Sequence, residues 1–263
     1  MGWKAIARSA TGTSHQVQKI PCQDCGYYRI FNDVIVGAVA DGAGSAKYSQ
    51  IGSELAIKTA LKYLSRISEY LEKRKGFWER FSGSFSQIEA KKIFTKTVNQ
   101  VIDELNKQAA NQGYAVHDLA CTLLVFVATP NWVAAMQIGD GFMVVRSQDS
   151  EYQLLFEPDK GEFFNETTFV TSVNALDEMQ VQVISGKQEF ICASTDGLEK
   201  VAIRLSDWKP FTPFFKPFEE YLRETDNPED DEKYVIDFLN SERLNSRTDD
   251  DKTLLLCLFE KDI

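Results

Sequence analysis

Two apolar runs near the start of the chain, Tyr27 to Phe31 and Val34 to Ala40, flank Asn32-Asp33. That pair tolerates the positive backbone angles of a two-residue turn, so the spacing predicts a β-hairpin. From Gly52 to Arg74 apolar residues recur at intervals of three and four (Ile57, Ala60, Leu61, Leu64, Ile67, Leu71), which predicts an amphipathic helix. A second helix follows, with Phe94, Val98, Val101, Ile102, Leu105 and Ala109 as its buried stripe. Gly76-Phe77-Trp78 and Ser82-Gly83-Ser84 read as the connection. After Gly113 the pattern shortens to three β-rich runs, Cys121 to Ala128, Trp132 to Ile138 and Phe142 to Val145, which read as an antiparallel meander. Further strands are expected near Phe169-Val170-Thr171, at Val181 to Ile184, and at Glu189 to Ser194, ending in Thr195-Asp196-Gly197. Phe214 to Arg223 and Glu232 to Leu239 read as helices, and Thr253 to Phe259 as a strand covered on both faces. This order predicts an α+β fold rather than alternating βαβ units.

Composition narrows the function. With 263 residues, 43% of them hydrophobic, the chain is expected to form one domain over residues 1–263 with a sizeable core. Asp and Glu number 39 against 29 Lys and Arg, a formal charge of -10, which argues against nucleic-acid or anionic-membrane binding. Affinity for phosphate would need a metal. The start Met1-Gly2-Trp3-Lys4-Ala5-Ile6 carries neither a signal-peptide core nor a myristoylation hydroxyl, and no run reaches membrane-span length, so a cytoplasmic location is expected.

The five cysteines are an odd number, and Cys121, Cys192 and Cys257 lie in apolar runs, as buried free thiols do. Cys22 and Cys25 form a lone Cys-x-x-Cys without a second pair. Only two histidines, His15 and His117, are present, so a His-based zinc site or a Ser-His-Asp hydrolase is disfavoured. His117-Asp118 reads as a solvated loop, Lys73-Arg74-Lys75 as a solvated helix end, and Phe211, Phe214, Phe215, Phe218 and Tyr221 as packing. The sequon Asn165-Glu166-Thr167 has no meaning in a cytoplasmic chain.

Carboxylates remain as the candidate chemistry. Asp24 and Asp41 lie at equal distances from the Asn32-Asp33 turn, so in-register pairing sets them opposite each other. Asp140 and Asp196 each end a predicted strand, and Asp249-Asp250-Asp251 precede the last one. Gathered on one edge without cations, such groups repel one another and their pKa values rise. Mg²⁺ or Mn²⁺ resolves that conflict, because both prefer oxygen ligands. Singly, each aspartate reads as a turn former or helix cap; the joint placement is what points to metal.

The motifs Cys22-Gln23-Asp24, Val39-Ala40-Asp41-Gly42-Ala43-Gly44, Ala120-Cys121-Thr122-Leu123, Ile138-Gly139-Asp140-Gly141, Ala193-Ser194-Thr195-Asp196-Gly197-Leu198 and Asp250-Asp251-Lys252-Thr253 occur in that order. Together they resemble the metal-dependent PPM-type (type 2C) serine/threonine protein phosphatases. Gly12-Thr13-Ser14-His15, Pro21-Cys22-Gln23-Asp24 and Asn165-Glu166-Thr167-Thr168-Phe169 resemble a bacterial branch of that family. The resemblance implies a central antiparallel β-sandwich flanked by helix pairs, with a metal centre at one edge.

It further implies that Asp24, Asp41, the Gly42 carbonyl, Asp196 and Asp250 hold two Mg²⁺ or Mn²⁺ ions, with Asp140 and Asp196 suited to a third. A water bridging the ions would be the nucleophile, and the substrate a phosphoprotein, the product of a serine/threonine kinase. The chain would act as a monomer. Three departures stand out. The family's phosphate-holding arginine is missing, leaving His15 or Lys19 as candidates. Ala43 stands where many members carry histidine, so the general acid is unassigned. Asp251 replaces the asparagine of the last motif, whose register favours Asp250 as the ligand over its neighbours. Rival readings are a catalytically silent phosphatase-like module that binds a phosphoprotein, and a metal nuclease, the latter disfavoured by the acidic balance.

Overall fold

The computed structural model describes residues 2–73, 85–148, 150–156 and 167–260. The connection read at Gly76-Phe77-Trp78 and Ser82-Gly83-Ser84, the pair Asn165-Glu166, and the side chains of Ile67 and Leu71 lie outside the described residues.

The first part of the chain runs β1 (Gly2–Ala10), α1 (Thr13–Gln18), β2 (Cys25–Phe31), β3 (Val34–Ala40), α2 (Ser49–Lys73) and α3 (Gln87–Gln112). Strands β4 (Leu123–Ala128), β5 (Trp132–Ile138), β6 (Phe142–Ser147), β7 (Gln153–Leu154), β8 (Gln180–Ser185) and β9 (Gln188–Ser194) follow. The last part holds α4 (Glu199–Ala202), β10 (Ile203–Arg204), β11 (Lys209–Pro210), α5 (Thr212–Glu224), α6 (Lys233–Leu239), α7 (Glu242–Asn245) and β12 (Lys252–Glu260).

Two five-stranded antiparallel sheets, ordered β1-β12-β9-β6-β7 and β2-β3-β4-β5-β8, form the centre. Strand β3 shows why they stack. Val36, Ala38 and Ala40 bury into the layer beneath α2 and α3, whereas Ile35 and Val39 face the other sheet, because successive side chains of a strand point to opposite faces. Strand β12 does the same on the other side: Leu254, Leu256 and Leu258 pack under α5 and α6, and Leu255, Cys257 and Phe259 fill the space between the sheets. Three apolar layers thus separate four structural layers, helix pair, sheet, sheet and helix pair. This is the α+β sandwich that the sequence predicted.

The long helices owe their register to their stripes. Ile57, Ala60, Leu61 and Leu64 of α2 meet Phe94, Val98, Val101 and Leu105 of α3. A capping box between Ser86 and Glu89 starts α3, and Gly113, with a left-handed φ of 70°, ends it.

Two expectations are corrected and one strand is added. The runs 121–128, 132–138 and 142–145 do not form one meander: β4 pairs with β5, but β6 pairs with β9 and β7 in the opposite sheet. Gly139-Asp140-Gly141 carries the chain from one sheet to the other, and local pattern cannot reveal a change of partner. Phe169-Val170-Thr171 is a turn rather than a strand; Val170 is buried and its N–H donates to the Cys121 carbonyl at 2.8 Å. The sequence reading also missed β1, which pairs with β12 from Gly2↔Glu260 to Ala10↔Lys252. Its interruption by Lys4 and Arg8 hides an alternation in which Trp3, Ala5 and Ala7 face the other sheet. Among the described residues no helix is long and apolar enough to cross a membrane.

Candidate metal centre

The hairpin sets the first two ligand candidates. Its register runs from Phe31↔Val34 to Cys25↔Ala40, so Asp24 and Asp41 are the next opposed positions beyond the last pair. Thr122, just before β4, fixes Asp41 from the side: its Oγ1 accepts from the Asp41 N–H at 2.9 Å and its N–H donates to the Asp41 carbonyl at 2.8 Å. Asp24 is 7% exposed, and the hydroxyl of Thr195 donates to its Oδ2 at 2.6 Å.

The other sheet supplies the rest. Asp196 begins the short turn after β9, Asp140 sits in the crossing between the sheets, and Asp250 lies just ahead of β12. Carboxylate oxygens of Asp41, Asp140 and Asp196 all lie within 4.8 Å of one another. Asp140 is exposed and accepts from the Thr167 hydroxyl at 2.6 Å. The Asp250 Oδ1 accepts from the N–H of Asp251 at 2.9 Å.

The electrostatics are those of an uncompensated anionic cluster. Burial pushes the Asp24 carboxyl above the ordinary range, as do the charges of Asp251 and Asp196, while hydrogen bonds from Asp41 and Thr195 pull it partway back. Burial also raises Asp41, reinforced by Asp24, Asp250 and Asp140. Asp196 is pushed up to about 8, by burial first and then by the charges of Asp140, Asp41 and Asp250. Two sheets have brought together acids that would each be more stable in water.

A hard divalent cation fits this set. The donors are all oxygens, and positive charge placed among them would remove the repulsion that raises their pKa values. Gly42, whose carbonyl belongs to the expected set, is pressed close: a Cβ there would lie 2.8 Å from Ser49 and 2.9 Å from the Gln23 carbonyl. The buried Oε1 of Gln23, one residue before Asp24, has no hydrogen-bond partner among the described residues.

Of the predicted site residues, Asp24, Asp41, Asp140, Asp196 and Asp250 converge at the same edge of the sandwich. His15 lies on α1 and points Nδ1 at Asp251 Oδ2, 3.0 Å away. Lys19 ends α1 in a left-handed conformation (φ 57°) and is exposed. Asp249 holds α1 through its carbonyl, which accepts from the N–H and hydroxyl of Ser14 at 3.0 and 2.8 Å. Sequence reasoning missed Thr167 and Thr195 as carboxylate partners and Thr122 as the partner of the Asp41 backbone. Thr122 and Thr195 stand inside the quoted motifs, and that placement was the available signal.

Comparison with known proteins agrees with this fold. The family model described as protein phosphatase 2C matches residues 11–239. Serine/threonine-protein phosphatase 3 of Escherichia coli (strain K12) is 34% identical over 266 residues, covering 98% of this chain and 99% of that protein. Among solved structures, the S. agalactiae serine/threonine phosphatase superposes with a TM-score of 0.61 at 14% identity, covering 98% of this chain and 100% of that one. Serine/threonine phosphatase Stp1 from Staphylococcus aureus gives 0.60 at 13% identity, covering 98% and 95%. The fold and these similarities define a metal-dependent serine/threonine phosphatase of the four-layer sandwich type. The chain belongs to the protein phosphatase 2C family.

Proposed function

We propose that this chain, acting as one domain over residues 1–263, is a metal-dependent serine/threonine phosphatase that hydrolyses phosphomonoesters on a phosphoprotein made by a serine/threonine kinase. The observation that carries the reading is the meeting of Asp41, Asp140 and Asp196, from both sheets, within 4.8 Å. Full-length similarity to a serine/threonine phosphatase supports it.

Asp24, Asp41, the Gly42 carbonyl, Asp196 and Asp250 would hold two Mg²⁺ or Mn²⁺ ions, and Asp140 with Asp196 a third. When bound, such ions supply a water acidic enough to act as nucleophile near neutral pH and neutralise phosphoryl charge. The protein's own part is orientation. Thr122 fixes the backbone of Asp41, and Thr195 fixes the carboxylate of Asp24. His15 or Lys19, both on or beside α1, would steady the phosphate in place of the family's arginine. With Ala43 at the usual histidine position, the leaving group takes its proton from another source. A monomer working in the cytoplasm completes the proposal.

The test is phosphate release from phosphoserine and phosphothreonine peptides with Mn²⁺, with Mg²⁺ and with EDTA, beside cleavage of single-stranded DNA. Metal-dependent release from the peptides alone is expected. Binding without turnover would leave a silent phosphoprotein-binding module, and DNA cleavage a nuclease.

A further inference from the structure

Asp251 is 2% exposed and three donors meet its carboxylate. Its Oδ1 accepts from the N–H of Gly12 at 2.7 Å. Its Oδ2 accepts from the N–H of Gln23 at 2.6 Å and from Nδ1 of His15 at 3.0 Å. Gly12 and His15 bracket the start of α1, Gln23 precedes Asp24, and Asp251 follows Asp250. One carboxylate therefore fastens three segments, two of which carry a ligand candidate on the adjoining residue.

Two of the three donors are backbone N–H groups, whose directions are set by the main chain, so the carboxylate fixes backbone rather than mobile side chains. The Asp196 turn closes the other side: a Cβ on Gly197 would stand 1.9 Å from the Asp251 carbonyl oxygen. The segment bearing Asp250 is held between α1 and that turn. Three donors already meet this buried carboxylate.

Resting on the reading of the site as a metal centre, we propose that Asp251 is its positioning residue and not a ligand. By joining the Gly12–His15 turn to Gln23 and to the start of β12, it holds Asp24 and Asp250 where a cation can take both. His15, in this arrangement, serves first as the third donor that locks the Asp251 carboxylate. Loss of a partner that orients metal ligands typically costs about ten- to a hundredfold in metal affinity.

Mn²⁺ binding by isothermal titration calorimetry on the full chain, without substrate, tests this in wild type, Asp251→Ala, Asp251→Asn and His15→Ala, with the metal-free Tm measured alongside. Asp251→Ala should weaken Mn²⁺ binding roughly ten- to a hundredfold at unchanged stoichiometry. Asp251→Asn should recover part of the loss, because its amide oxygen still accepts from one side. His15→Ala should weaken binding less than Asp251→Ala, since both backbone donors keep their acceptor. A lowered Tm with wild-type Mn²⁺ affinity would overturn the proposal, and so would the loss of one bound ion from the stoichiometry, which would make Asp251 a ligand. Should Asp251→Ala fail to fold, wild-type Mn²⁺ affinity in both other variants overturns it equally. A wild-type chain that binds Mn²⁺ but releases no phosphate would sink the proposed catalysis and leave this comparison intact.

Discussion

Thr195 gives its hydroxyl proton to Asp24 because Thr253 leaves it no choice. The Thr253 N–H donates to the Thr195 oxygen at 3.0 Å, so the hydroxyl hydrogen is turned toward Asp24 Oδ2 at 2.6 Å. A backbone amide of β12 thereby orients, through one side chain at the end of β9, an acid on the opposite sheet. Thr195→Val keeps the shape and removes the relay. It strands a buried N–H and a carboxylate oxygen, at a cost of about 1–3 kcal/mol, and should weaken Mn²⁺ binding roughly tenfold. Thr195→Ser should keep both properties. Urea denaturation and Mn²⁺ calorimetry on the two variants check the pair of claims; equal behaviour of valine and serine would refute the relay.

Asp41→Asn should separate function from folding. Burial and the neighbouring Asp24, Asp250 and Asp140 hold the Asp41 carboxyl toward its neutral form in the metal-free protein, so a neutral asparagine suits that state at least as well while removing a ligand candidate. Metal-dependent phosphatase activity should disappear and the metal-free Tm should stay level or rise. Wild-type turnover by the purified variant would contradict the proposed ligand set.

Far from the metal centre, Glu219 on α5 anchors the second helix pair to the sandwich. It is 6% exposed and accepts from Arg146 Nε and the Tyr152 hydroxyl, each at 2.8 Å, and from Arg223 Nη2 at 2.7 Å. Burial alone would raise its carboxyl, but the bonds from Arg146, Arg223 and Tyr152 outweigh that and hold it below the ordinary value. Its stabilising effect is thus present above the unfolded pKa and is lost as pH falls through the lower folded one. Glu219→Ala leaves the half-buried Arg146 only its longer ion pair to Glu189, at 3.7 Å, and should cost about 1–3 kcal/mol. Mn²⁺ affinity should not change, which calorimetry on the folded variant would show.

Much of this architecture was legible in local pattern. The equal spacing of Asp24 and Asp41 from the Asn32-Asp33 turn foretold their opposition, and the run Thr253–Phe259 foretold a strand buried on both faces. What was illegible depends on partners distant in sequence. Nothing near Trp3 indicates pairing with Phe259, and nothing in Phe142–Val145 says that it leaves the sheet of its neighbours. Within Asp249-Asp250-Asp251 identical residues make different contacts: the Asp249 carbonyl holds Ser14, the Asp250 carboxylate accepts from the next N–H, and the Asp251 carboxylate meets Gly12, His15 and Gln23, partners that only the tertiary fold supplies.

The acidic cluster also fixes a sign for the response to pH. Burial and the neighbouring carboxylates push Asp196 up to about 8 in the folded, metal-free protein, against about 4 for an unperturbed aspartate. Between those values the folded state binds more protons than the unfolded chain, so metal-free stability falls as pH rises. Asp24 and Asp41, also raised, act in the same direction. A cation must displace those protons, so its apparent affinity and the stabilisation it confers grow as pH rises. In EDTA the Tm should therefore be lower at pH 8.5 than at pH 6. With millimolar Mn²⁺ the gain in Tm should be larger at pH 8.5 than at pH 6, by roughly 2–4 °C for each additional kcal/mol of linkage in a chain of this size. Melting curves at the two pH values, with and without Mn²⁺, measure both slopes. A metal-free Tm that rises toward pH 8.5, or a Mn²⁺ shift that shrinks there, would mean that these carboxylates are charged and already compensated in the folded protein, and the case for a metal centre built from them would fail.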